Sequence, residues 1–150
     1  MPTPIEIRNE VYVAALPEAV WRAIVDPEMT RAWVYGTRLR STLAPGAPYA
    51  YLAEKDVIAV SGTVLACEAQ RRLVLSWKAH WDPSVEADPP SRVTWELEAS
   101  GPRTTRLRVI HDQFQDLTPT YVGSVDAWPF MLSSLKSLLE TGRALEAASA

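Results

Sequence analysis

The side chains that could do chemistry in this 150-residue sequence are few. Cys67, His80 and His111 are its only cysteine and histidines. A zinc or iron site needs about three or four convergent ligands. Strand parity turns His80 away from Trp77 and Trp81 and puts His111 with Leu107 and Val109, so the two imidazoles are not expected to meet and no metal is expected. Ser61, Ser76 and Ser91 sit in no Gly-x-Ser-x-Gly elbow. The sequence has no phosphate loop or dinucleotide fingerprint, so no cofactor is expected. Glu54 and Asp56 resemble a paired carboxylate, although a hairpin tip accounts for them. His111 is the candidate for general acid–base work. Its parity points inward, where an imidazole serves as base or hydrogen-bond donor. The other reading is a polar side chain satisfied by backbone near a strand end. Asp112 and Asp126 either orient a ligand or face solvent.

The aromatic residues are the stronger signal, with six tryptophans and five tyrosines in the chain. Tyr49, Tyr51, Trp77, Trp95 and His111 fall on one face of successive strands. Tyr121, Trp128, Met131 and Leu132 fall on a long C-terminal helix. Trp33 and Tyr35 follow two short helices. Ring faces with a few hydroxyl, indole and imidazole groups supply apolar affinity and orientation. These side chains therefore either line a ligand cavity or fill the space themselves.

The elements that position them can be read from periodicity. Ile5 to Val13 alternates as a half-buried strand with Asn9 on its inner face. Pro17 opens a helix to Val25, and Asp26-Pro27 breaks it and starts a second helix to Trp33. Leu39 to Leu43 is a weak strand. Tyr49, Tyr51 and Ala53 share a face on the next one. Val57 to Ala69 is a long strand in which Gly62 predicts a bulge or bend. Leu73, Leu75, Trp77, Ala79 and Trp81 share the next face. Asp82 to Ser91, rich in proline, reads as a loop. Val93 to Leu97 and Thr105 to His111 are two more strands. From Thr118 to Arg143, Tyr121, Val125, Trp128, Leu132, Leu135 and Leu139 recur at helical spacing. Pro129 predicts a kink there, or a helix start after a short first piece. Phe130 points away from that stripe, as a partner contact or a buried seam. Consecutive strands with short turns make an antiparallel meander, and the long helix is the only element large enough to cover it.

Bulk properties narrow the function classes. A length of 150 residues suits one domain over residues 1–150, with an ordered core of about 5–143. The net charge of −3 and the scattered arginines give no basic stripe for nucleic acid. No apolar run reaches the roughly 18 residues needed to span a bilayer. A lone cysteine and no signal pattern point to the cytoplasm.

Four ordered segments carry a family resemblance. They are Pro17-Glu-Ala-Val-Trp-Arg-Ala-Ile with Asp26-Pro-Glu and Trp33; Gly46-Ala-Pro-Tyr49-Ala-Tyr51; Gly62-Thr-Val with Arg72-Leu-Val-Leu-Ser-Trp77; and Thr105 to His111 with Trp128-Pro and Leu132 to Gly142. The chain resembles the Activator of Hsp90 ATPase homologue 1-like branch of the START/Bet v 1-like (SRPBCC) superfamily. It departs from the usual pattern at Ala47, where the family has a second glycine. The resemblance implies an α+β helix-grip fold: a curved antiparallel sheet wrapped around the C-terminal helix, with two short helices after the first strand and an internal cavity. It implies a small hydrophobic partner, a lipid or an aromatic polyketide-type natural product, held for transport, sequestration or self-resistance. A cyclase or dehydratase using His111 and a co-chaperone-like interaction module are the alternatives, and either a monomer or a homodimer is compatible.

Overall fold

The computed structural model describes residues 4–146. Its order is β1 (Ile7–Val13), α1 (Pro17–Val25), α2 (Pro27–Trp33), β2 (Arg38–Arg40), β3 (Pro48–Leu52), β4 (Ile58–Glu68), β5 (Arg72–Ala79), α3 (Pro83–Glu86), β6 (Ser91–Gly101), β7 (Thr104–Asp112) and α4 (Pro119–Thr141). Local chemistry sets the helix starts. Each helix opens on a proline, whose missing N–H costs nothing in the first turn. Asp26, Asp82 and Thr118 cap three of them by accepting from Glu28 N (2.8 Å), Ser84 N (2.9 Å) and Tyr121 N (3.2 Å). Gly142, at φ 84°, ends α4 in the left-handed conformation.

Seven strands form one antiparallel sheet in the order β1-β7-β6-β5-β4-β3-β2. Strands β2 to β7 are a meander, and β1 returns to pair with β7. Helices α1 and α2 carry the chain between the two edges. Register shifts at Tyr51/Leu52, Val64/Ala66 and Ala99/Gly101 bend the sheet. Val64, Leu73, Leu75, Val93, Leu107 and Val109 build the inner face and are fully buried. Helix α1 covers it with Val20, Ala23 and Ile24, and α4 with Trp128, Met131, Leu132 and Leu135. This is the curved sheet around a long C-terminal helix that the sequence led us to expect.

Several expectations change in detail. Gly62 marks no bulge. It pairs regularly with Tyr49, and the irregularities of β4 lie on either side of it, at Ile58/Val60 opposite β3 and at Val64/Ala66 opposite β5. A Cβ on Gly62 would overlap the Ser76 carbonyl oxygen, so the glycine permits two backbones to approach. The segment after β5 contains α3 rather than only loop. Helix α4 runs through Pro129 as one element, with no second start.

The inner stripe of α4 is also rotated in its first half. Thr120 and Ser124 are buried, whereas Val125 is 38% exposed. Thr120 donates its N–H (2.8 Å) and its hydroxyl (2.6 Å) to the Asp88 carboxylate, and Ser124 donates to the Thr120 carbonyl at 2.7 Å. These bonds satisfy the hydroxyls inside, so the small polar residues take the inner side in place of the valine.

Candidate ligand cavity and the His111 cluster

A cavity of about 480 Å³ opens between the inner face of β3 to β5, the segment after α2 and the first half of α4. The sheet contributes Tyr51, Ala59, Val60 and Trp77. The segment after α2 contributes Val34, Tyr35 and Thr37, and α4 contributes Gly123, Ser124, Ala127, Trp128 and Met131. Ala53 and Trp81 complete the wall. Trp128 packs against both Trp77 (centroids 5.6 Å) and Trp95 (5.4 Å), so the ring faces are held by other rings.

Among the residues singled out from sequence, Tyr35, Tyr51, Trp77, Trp128 and Met131 lie on this wall. The others lie behind it. Trp33 donates its indole N–H to the Ala23 carbonyl at 2.7 Å and braces Trp95 edge-on at 5.8 Å. Tyr49 donates its hydroxyl to the Ser76 carbonyl at 2.6 Å. Tyr121 packs edge-on against Phe114, and Leu132 belongs to the core.

Sequence reasoning missed other wall residues. Trp81 was expected on the inner face of β5, but β5 ends at Ala79. Its indole instead reaches the mouth, 48% exposed and 3.7 Å from where a Cβ on Gly123 would stand. Gly123 and Ala127, one helical turn apart and just before Trp128, carried a readable signal: they strip bulk from the side of α4 next to the rings. Tyr35 closes the other side of the mouth. It sits at φ 47°, and its ring stacks on Phe130 at 6.0 Å and 19°, so Phe130 forms a seam.

The wall carries no Asp, Glu, Lys or Arg among the described residues. Thr37 and Ser124 turn their hydroxyls to the Val34 and Thr120 carbonyls, each at 2.7 Å. Burial holds the Tyr51 phenol well above its usual titration range, so it stays neutral. The Trp77 indole N–H is buried without an acceptor among the described residues.

His111 lies just behind Trp77 and Trp128 and is fully buried. Trp128 Nε1 is 3.0 Å from His111 Nδ1, and His111 Nε2 is 2.7 Å from Ser91 Oγ. An indole N–H only donates, so Nδ1 must accept and Nε2 carries the hydrogen. Ser91 receives it and donates onward to the Trp77 carbonyl at 3.4 Å. Burial lowers the His111 pKa to about 3, against a smaller opposing pull from Asp112. The ring is therefore neutral, and both nitrogens are committed to protein groups. His80 lies outside the cavity wall, bonded to Ser61.

The family model described as Activator of Hsp90 ATPase homolog 1-like protein matches residues 14–140. No curated protein matches the chain in sequence. Among solved structures, protein MLL2253 from Mesorhizobium loti is 28% identical with a TM-score of 0.75, over 91% of this chain and 97% of that one. CalU16 from Micromonospora echinospora is 22% identical with a TM-score of 0.70, over 92% and 83%. DynU16, from the dynemicin biosynthetic locus, is 23% identical with a TM-score of 0.74, over 95% of this chain and 49% of that one. The likeness to CalU16 and DynU16 is one of fold. With a curved antiparallel sheet around the long helix, and a family model that matches residues 14–140 from α1 through nearly all of α4, the chain belongs to the Activator of Hsp90 ATPase homolog 1-like family.

Proposed function

We propose that this chain binds a small, bulky, uncharged hydrophobic molecule between the sheet and the first half of α4, for transport, sequestration or self-resistance. The observation that carries this reading is the cavity itself: about 480 Å³ walled by tyrosine and tryptophan rings, without a charged side chain. Burying some 250 Å² of ligand surface there contributes roughly 6 kcal/mol at about 25 cal/mol per Å², before the cost of immobilising the ligand. The Tyr51 hydroxyl and the Trp77 N–H are the groups able to orient it. An aromatic polyketide suits such walls by stacking, and the origin of DynU16 in a natural-product locus is in keeping with that class. The committed ring nitrogens of His111 favour binding over acid–base turnover at this site. Titration with a panel of aromatic polyketides and fatty acids, followed by tryptophan fluorescence and melting temperature, tests the reading. Saturable quenching with a rise in Tm is expected, and a panel that leaves both unchanged would sink it.

A further inference from the structure

We infer that Ser61, His80 and Glu86 form an acyl-accepting nucleophile on the outer face of the sheet, separate from the cavity. Ser61 Oγ lies 2.8 Å from His80 Nε2, and His80 Nδ1 lies 2.5 and 2.9 Å from the two carboxylate oxygens of Glu86. An ionised carboxylate only accepts, so Nδ1 carries the hydrogen and Nε2 offers its lone pair to the serine hydroxyl. That is the order in which an imidazole takes a proton from an attacking serine. It is the reverse of His111, whose lone pair is spent on an indole.

The three groups are held by their elements. Ser61 is on β4 directly opposite Lys78 of β5, and Lys78 lies between the buried, inward Trp77 and Ala79, so Ser61 faces outward with it. His80 directly follows β5, and its N–H is fixed on the Ala59 carbonyl at 2.8 Å. Glu86 ends α3, which is capped by Asp82 and anchored by buried Val85. Lys78 Nζ donates to the Glu86 carbonyl at 2.8 Å and to that of Val85 at 3.1 Å. Register sets Ser61 beside Ala50, and Ala50 beside Arg40. The Ala50 methyl leaves a low step next to Ser61. Beyond it Arg40 is exposed and forms no ion pair among the described residues. A short acyl group on Ser61 would lie over this step, and Arg40, two strands away on the same face, is the cation placed to meet its developing oxyanion.

The substrate class is activated esters of small carboxylic acids. Ser61 Oγ bonds the acyl carbon while its hydrogen passes to His80 Nε2. The carbon–oxygen bond to the leaving alcohol or phenol breaks, and that group departs with the proton. Water later hydrolyses the acyl-serine to the free acid. Backbone N–H groups around Ser61 are spent within the sheet, that of Thr63 on Ser76 Oγ at 2.8 Å. Both steps therefore lack a backbone oxyanion pocket; acylation expels a good leaving group from the activated ester, whereas deacylation must expel the serine alkoxide, so the acyl-serine accumulates.

The full chain mixed with p-nitrophenyl acetate is expected to release a burst approaching one equivalent of p-nitrophenolate, with the acetyl adduct mapping to Ser61. Ser61→Ala removes burst and adduct. His80→Gln slows the burst by about 100-fold or more, the scale of general-base assistance. Glu86→Gln keeps the tether nearly isosteric, so a slower burst at unchanged melting temperature marks a positioning role rather than a structural one. A phosphonofluoridate should label Ser61 in the unaltered chain, which removes dependence on any variant folding. Labelling elsewhere, a burst that survives Ser61→Ala, or a His80→Gln chain as fast as the original overturns the inference.

Discussion

His111 shows how one residue converts an apolar site into a pH-dependent one. Its lone pair and its hydrogen are both bonded within the protein, and burial lowers its pKa to about 3. The unfolded chain takes up a proton as pH falls through the usual 6.5, whereas the folded chain does so only near 3. Stability from this residue is therefore complete above pH 6.5 and is lost progressively as pH falls from 6.5 toward 3. By pH 5 the loss is about 2 kcal/mol. Urea melts at pH 7 and pH 5 should show it, and His111→Gln should flatten the difference. A chain equally stable at both pH values would contradict this account. Trp128→Phe probes the same cluster differently: it deletes the donor to Nδ1 and should cost about 1–3 kcal/mol while leaving most of the cavity wall in place. Strand alternation in the sequence puts His111 inside. It does not give the His111 partners, because Ser91 and Trp128 reach the ring from another strand and from α4.

At the scale of the element, α4 divides into a half legible in sequence and a half that is not. From Trp128 onward the apolar spacing and the Gly142 stop are local signals, and the observed helix follows them. Before Trp128 the buried residues are Thr120 and Ser124; Ser124 bonds back to the Thr120 carbonyl, and Thr120 is satisfied by Asp88, some thirty residues away in the chain and invisible to a hydrophobic pattern. Alternation puts Trp81 on the side of Trp77, and both reach the cavity wall, but its place at the mouth comes from the chain beyond the end of β5, which alternation does not describe. Gly62 was legible as unusual, but only the opposing Ser76 backbone explains why. Two expected outcomes belong here. Gly123→Leu places a good helix former in α4 beside Trp81, so the empty chain should gain stability of the order of 1 kcal/mol while losing most of its ligand-induced fluorescence change. Retained binding would move the ligand away from the mouth. Asp88→Ala should lower stability by about 1–2 kcal/mol through the lost hydrogen bonds to the Thr120 N–H and hydroxyl. It should also weaken binding, because it frees the turn of α4 that carries Gly123 and Ser124.

At the scale of the molecule, one sheet separates two chemistries. The inner face holds uncharged rings around a cavity, while the outer face holds Ser61, His80, Glu86, Lys78 and Arg40 in a wetter setting. The curved sheet and its helix were legible as a whole because alternation, turn residues and helix starts agree along the chain. The outer-face cluster was not, because Glu86 reaches His80 only through α3, within a segment that reads as loop. A packed strand passes little strain when a small side chain on its far face changes without altering backbone pairing, so the two faces should behave additively. A cavity ligand present at 100 times its dissociation constant stabilises the fold by about 2.7 kcal/mol. For a chain of this length that corresponds to a rise of roughly 5–10 °C in Tm. Ser61→Ala should leave the rise intact, and an occupied cavity should leave the p-nitrophenolate burst unchanged in amplitude and rate. Measuring the Tm rise in Ser61→Ala and the burst in the ligand-saturated chain gives two independent readings of one claim. A shift in either would mean that β4, which carries Val60 inward and Ser61 outward, couples the two sites.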